Sequence, residues 1–228
     1  MATSGNTNFE LDRNDIIESA LRKIGRLALG QTPEAEEYTS AGQALNSLVS
    51  LYSTEGMPLW KRTTVTTTLV DGTASYTTNN IIKVAQVILQ STTSDVQYEI
   101  TEKSLYDFNQ LPTSDGSLPV HYTFAPGISS GTITVWPTPD ATAAAEYTLI
   151  AVYQRRFDGF FGASDTPDFP NYWTDALIYG LAVRLAPEYG VPLQDRQLLL
   201  KEAEMYKKMA SDYGDEDGSI FFQPDRGC

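Results

Sequence analysis

The stretch NYWTDALIYGLAVRLAPEYG, residues 171–190, decides how this chain is organised. Trp173, Leu177, Leu181 and Leu185 recur every fourth residue, which puts them on one face of a helix, and Pro187 and Gly190 supply the stop. After Pro192 a second helical pattern follows. Leu199, Ala203, Tyr206, Ala210 and Tyr213 recur at steps of four and three, until Gly214 ends it. The text before residue 171 reads quite differently, so helix returns here after an interruption.

The start of the chain carries a matching pair. In DRNDIIESALRKIGRLALG, residues 12–30, Ile16, Ala20 and Ile24 stand beside Ile17, Leu21 and Ala28 on one apolar face stopped by glycine. Thr32 is placed to cap the next helix and Pro33 suits its first turn. Tyr38, Ala41, Leu45, Leu48 and Tyr52 then recur at three and four until Gly56 and Pro58. The two helices read as an antiparallel hairpin.

Between the pairs the text is threonine-rich. KRTTVTTTLVDGTASYTT (61–78) predicts two strands joined by a hairpin turn at Asp71-Gly72. IIKVAQVILQ, VQYEI, VHYTF, GTITVW and EYTLIAVYQRRF predict further strands, and TEKSLYDFNQ a short helical turn. Pro112, Pro119, Pro126, Pro137 and Pro139 fall in the loops, where a missing N–H does no harm. About seven strands are expected, folded as a small antiparallel β-sandwich or barrel.

The expected fold is therefore α+β: a four-helix bundle built from the N- and C-terminal helical pairs, interrupted by a β insertion. The domains are a discontinuous helical one over 1–58 and 158–214, the β domain over 59–157, and an extended C-terminal tail over 215–228. That tail, DEDGSIFFQPDRGC, places Ile220, Phe221 and Phe222 after an acidic run, with too few residues left for another element to bury them. They either tuck back against their own bundle or find a pocket on another chain.

Composition narrows the function classes. Hydrophobic residues at 41% and charged residues at 20% of the 228 are ordinary for a globular protein, which argues against disorder along the whole length. No apolar run approaches the ~20 residues that span a bilayer, and MATSGNTNFE has no secretory pattern, so a soluble protein made in a cytoplasm is expected. Cys228 is the single cysteine, which excludes an intrachain disulfide and a cysteine-based metal site. The net charge of −13 opposes adhesion to a phosphate backbone.

No chemical site emerges. His121 is the single histidine and sits in a strand pattern between Val120 and Tyr122, where packing or surface exposure is the ordinary role. Nucleophile-elbow, phosphate-loop and zinc-helix motifs are absent. An EF-hand register with Gly218 at position six needs acidic residues where Tyr213 and Pro224 stand, so it fails. No catalytic, cofactor-binding or metal-ligating residue is expected. Trp60, Trp136 and Tyr122 are open to two readings, a stacking platform for sugar or filling of the β core and its seam.

DIIESALRKIG, then EAEEYTSAGQALNSLVSLYSTEGMPLW, then WTDALIYGLAVRLAPEYG with its following helix resemble the head-to-tail adaptors of short-tailed bacteriophages. These are also called tail accessory factors or packaged-DNA stabilisation proteins. The resemblance rests on ALRKIG, the LN of the second helix, GMPLW and LAPEYG in that order. It implies a structural virion protein made in the host cytoplasm and located at the portal vertex, the head-tail interface. Such adaptors form a homo-oligomeric ring, typically of twelve copies, under the portal protein, and meet a tail nozzle or tail tube protein below. Double-stranded DNA passes through without specific binding, no membrane is involved and no cofactor is implied. The resemblance makes Ile220, Phe221, Phe222 and Pro224 portal-binding residues, with Asp215, Glu216 and Asp217 as a flexible acidic linker. A β-sandwich module that binds or hydrolyses glycans on the tail is the alternative.

Overall fold

Helix α1 (Arg13–Lys23) begins at Asp12, whose carboxylate accepts the Asp15 amide at 2.8 Å, while the Asp15 carboxylate accepts the Asp12 amide at 3.3 Å. This reciprocal box satisfies two amides that a helix start otherwise leaves free. The helix stops at Gly25, whose φ of 75° suits glycine, and not at Gly30. Helix α2 (Ala35–Thr54) starts later than Thr32 would set it: Glu37 accepts the Glu34 amide at 3.0 Å and pairs with Arg26 at 2.7 Å. These bonds hold the Glu37 carboxyl below the usual range, the Glu34 amide contributing first and the Arg26 guanidinium second.

The computed structural model describes residues 11–54, 59–94, 96–113 and 116–214. Among these the fold is α+β, with six helices and two four-stranded sheets. It divides into two compact units, one drawn from Met1–Trp60 and Phe157–Cys228, the other Lys61–Arg156.

In the first unit, α1 and α2 are joined by α5 (Thr174–Leu185) and α6 (Leu193–Gly214). The expected four-helix bundle is not what they build. Helix α5 is a hub: α1, α2 and α6 pack on it, and α6 otherwise meets the 3-10 turn Asn171–Trp173 that precedes α5. The cause is visible in burial. Residues 176–182 of α5 are all buried, so apolar surface faces every side, as in a central helix. Lengths forbid four matched walls as well: 11 and 12 residues for α1 and α5 against 20 and 22 for α2 and α6. Gly180 admits the close approach of α2, since a Cβ there would fall 2.7 Å from the Tyr52 hydroxyl.

The connection from residue 157 to 170 is fastened onto this unit. Asn46 donates through Nδ2 to the Phe160 carbonyl at 2.9 Å and accepts the Phe160 amide at 2.8 Å. Asp165 accepts the amides of Phe161 and Gly162 at 2.8 and 2.6 Å, and its own carbonyl accepts the Arg13 amide at 2.9 Å. The Trp60 and Phe157 rings stack with centroids 5.1 Å apart, and Phe169 and Trp173 close round them.

The second unit holds β1 (Arg62–Thr68), β2 (Ser75–Asn79), β3 (Ile81–Ser91), β4 (Gln97–Glu99), β5 (Thr101–Glu102), β6 (His121–Pro126), β7 (Ser130–Trp136) and β8 (Tyr147–Arg155). The sheet orders are β1-β8-β3-β4 and β2-β7-β6-β5. Ile81, Val87, Leu89, Leu149 and Tyr153 from the first sheet share one core with Tyr122, Ile133 and Val135 from the second. Among the described residues there are eight strands against the expected seven or so, β5 runs parallel to β6, and Pro126 closes β6 instead of lying in a loop. Two short helices complete the unit, α3 (Leu105–Phe108) and α4 (Ala141–Glu146). The second is capped by Asp140, which accepts the Ala143 amide at 2.7 Å.

Asp71 and Gly72 do turn the chain, but they make no hairpin. The Thr73 amide bonds the Val70 carbonyl at 3.0 Å, while β1 goes to β8 and β2 to β7 in the other sheet. Buried Leu69 and Tyr76 lead the chain across the core, and the Tyr76 hydroxyl ties the corner, accepting the Val70 amide at 3.1 Å and donating to the Thr73 carbonyl at 2.9 Å.

Candidate functional site

The tail residues proposed to bind, Ile220, Phe221, Phe222 and Pro224, and the linker Asp215, Glu216 and Asp217 lie outside the described residues. The helix that leads to them, α6, ends at Gly214.

Helix α6 carries more apolar surface than its unit covers. Leu198, Leu199 and Leu200 stand about 100° apart round the axis, so one face cannot bury all three. Leu199 is 8% exposed, against 60% for Leu198 and 45% for Leu200. Leu198, Met205 and Met209 form an exposed stripe on one side of the buried one, and Leu200 stands on the other. Tyr213, grouped by spacing with the buried face, is exposed and packs edge-on against Tyr172 at 4.8 Å. The leucine triplet was the signal in the sequence for this surplus.

Two clefts flank α6. One, of about 520 Å³, lies beside the α5–α6 connection and is lined by Lys23, Tyr179, Tyr189, Asp195, Leu198 and Glu202. Lys23 donates to the Tyr179 hydroxyl at 2.9 Å, the bond that chiefly raises its ammonium pKa. With Nζ 4.8 Å from the ring centroid, it sits beside the hydroxyl and not over the face. The other cleft, of about 250 Å³, separates α2 from α6 and is lined by Leu48, Leu51, Val183 and Leu200, with Arg184, Glu204 and Lys207 also in its wall.

The aromatic trio does not form one platform. Tyr122 is buried in the β core and Trp60 belongs to the helical unit's aromatic cluster. Trp136 lies beside His121, rings 5.9 Å apart and nearly parallel, with its indole N–H donated to the Pro112 carbonyl at 2.9 Å. Burial, and secondarily Lys103, holds the His121 pKa below its ordinary 6.5. The neutral ring is therefore the one that fits the fold. Stability from this residue is complete above pH 6.5 and declines as pH falls through the lowered folded-state value. Thermal midpoints measured from pH 7.5 down to 5.5 should fall less steeply for His121→Gln than for the parent chain; equal slopes would remove His121 from that account.

Charge is unevenly shared. Residues 61–156 hold 6 of the 16 basic and 8 of the 29 acidic residues, a net −2, which leaves −11 of the −13 to the helical unit and its flanks. Among the described residues no group of three or more His, Cys, Asp or Glu side chains converges as a metal site, and no helix is long and apolar enough to cross a membrane.

The α2–α6 cleft thus leaves apolar side chains open on a strongly acidic helical unit. Comparison with known families identifies the kind of protein. The model of the SU10 adaptor protein family matches residues 13–223, running through the β unit as well as both helical ends, and the chain belongs to that family. It is a structural adaptor of the phage virion, associated with portal and tail components. No match was found among curated proteins.

Proposed function

We propose that this adaptor forms a ring of twelve copies under the portal, lengthens the DNA channel and joins the capsid to the tail nozzle or tube. The observation that carries the reading is family membership over residues 13–223, a span that includes Ile220, Phe221 and Phe222. These side chains and Pro224 anchor the subunit on the portal, and Asp215, Glu216 and Asp217 link the anchor to α6. Burial of aromatic side chains in a partner offsets the entropy of ordering such a segment. The acidic balance supports passage of DNA: carboxylates that face a bore repel phosphates, so the duplex slides without sticking. The protein is made in the host cytoplasm and catalyses no reaction.

Assembly is templated. Subunits of charge −13 repel one another, so lateral contacts close a ring only on the portal, most markedly at low salt. Sedimentation of the protein alone should show monomers. Negative-stain images after mixing with portal should show an added ring. A stable ring at micromolar concentration without portal would refute templating, and no ring in the mixture would refute the function.

A further inference from the structure

We infer that the cleft between α2 and α6 is the docking site of the chain's own segment 215–222 in the free subunit, with Phe221 in the cleft.

The place of the cleft on α6 is the first reason. Leu200, Glu204 and Lys207 line it at steps of four and three, and the next members of that row are Ser211 and Gly214. The row thus leads to the point where the segment leaves the helix. A segment that reverses at Gly214 runs straight back along the cleft.

Length agrees. Lys207 lies about 10 Å and Leu200 about 21 Å from Gly214 along the axis, at 1.5 Å per residue. Phe221 is seven residues beyond Gly214, and an extended chain of that length reaches roughly 23 Å. After the few residues spent on the reversal, its ring comes level with Lys207 and Ala203. A cavity of about 150 Å³ suffices for benzene, so 250 Å³ admits a phenyl ring.

Charge is the third reason. Arg184 and Lys207 outnumber Glu204 in the cleft wall, and the segment presents Asp215, Glu216 and Asp217 before its apolar triplet. In a unit of net charge −11, Lys207 is the cation of that wall nearest Gly214, where the acidic run begins. The floor is open: Leu51 is 48% exposed and Leu200 45%. The cleft also lies where a four-helix bundle would have closed α2 against α6, which is why this sequence leaves a seam. Docking there keeps Phe221 from water until the portal competes for it; that competition rests on the function proposed above, whereas the cleft assignment does not.

The test uses the full chain with a nitroxide on Gln223→Cys in a Cys228→Ser background, and methyl spectra of the isolated protein. Signals of Leu48, Leu51, Val183 and Leu200 should show the largest loss in the helical unit and return on reduction of the nitroxide. Leu51→Glu with Leu200→Glu, both at half-exposed positions that leave the fold intact, should abolish the loss. Loss that is greatest elsewhere, or that survives this double change, overturns the assignment. So does loss in a mixture of spin-labelled and separately isotope-labelled chains, which would mean a neighbour's segment in the cleft, and so does a cleft filled only once portal or tail protein is added. Portal rings should restore the signals as they bind. A chain that shows the intramolecular loss but binds no portal would refute the proposed function and leave the cleft assignment standing.

Discussion

Deleting residues 215–228 should abolish stable attachment to the portal while the helical unit stays folded. The periodic pattern of α6 closes at Gly214, and the core of α1, α2, α5 and α6 is built from side chains that precede the deleted segment. Burying Ile220, Phe221 and Phe222 in a partner contributes about 1.5–3 kcal/mol per side chain before ordering costs. A ring repeats that gain in every subunit, so its loss multiplies. Co-sedimentation with portal is the measurement, and filled heads completed with the truncated adaptor should leak DNA. Phe221→Ser with Phe222→Ser should reproduce most of the loss, whereas neutralising Asp215, Glu216 and Asp217 should change portal binding little. Undiminished binding by the truncated chain would dismiss these residues as the anchor.

The second large effect is expected at the hub. Leu181 on α5 is fully buried, and Leu181→Ala should cost about 3–5 kcal/mol through lost burial and the cavity left behind. Leu198→Ala, the same truncation at an exposed site on α6, should stay within about 0.5 kcal/mol. Helical circular dichroism on heating should register the first as a midpoint drop of about 10 °C or more and the second as almost none. Comparable drops for both would mean that α5 is not the centre of its unit.

The periodic elements were legible because local spacing dictates them. Trp173, Leu177, Leu181 and Leu185 repeat every fourth residue and are all buried, and the helix they define is α5. What surrounds a helix is less legible. The same text contains Ala176, Ile178 and Ala182, buried on the remaining sides, and a one-face reading overlooks them. That oversight turned a hub into a wall of a bundle. The corner at Asp71-Gly72 failed similarly, since a turn dipeptide specifies a reversal but not which strand the chain pairs with next. For the site, Leu198-Leu199-Leu200 announces surplus apolar surface, yet only the fold shows that Leu200 opens onto a cleft and Leu198 does not share it. The LN pair of the resemblance supplies a clamp: Asn46 holds the connection at Phe160.

The Trp60–Phe157 stack has an evolutionary corollary. The chain leaves the helical unit at Trp60 and re-enters at Phe157, and the two rings touch, so everything spliced between them starts and finishes at one spot. Closing such an excursion costs an entropy that grows only logarithmically with its length. A lineage is then free to enlarge, shrink or exchange the cassette at this address, provided its two ends emerge side by side, while the helical scaffold keeps its own core. Replacement of residues 61–156 by a short glycine-serine bridge is the laboratory equivalent of that history.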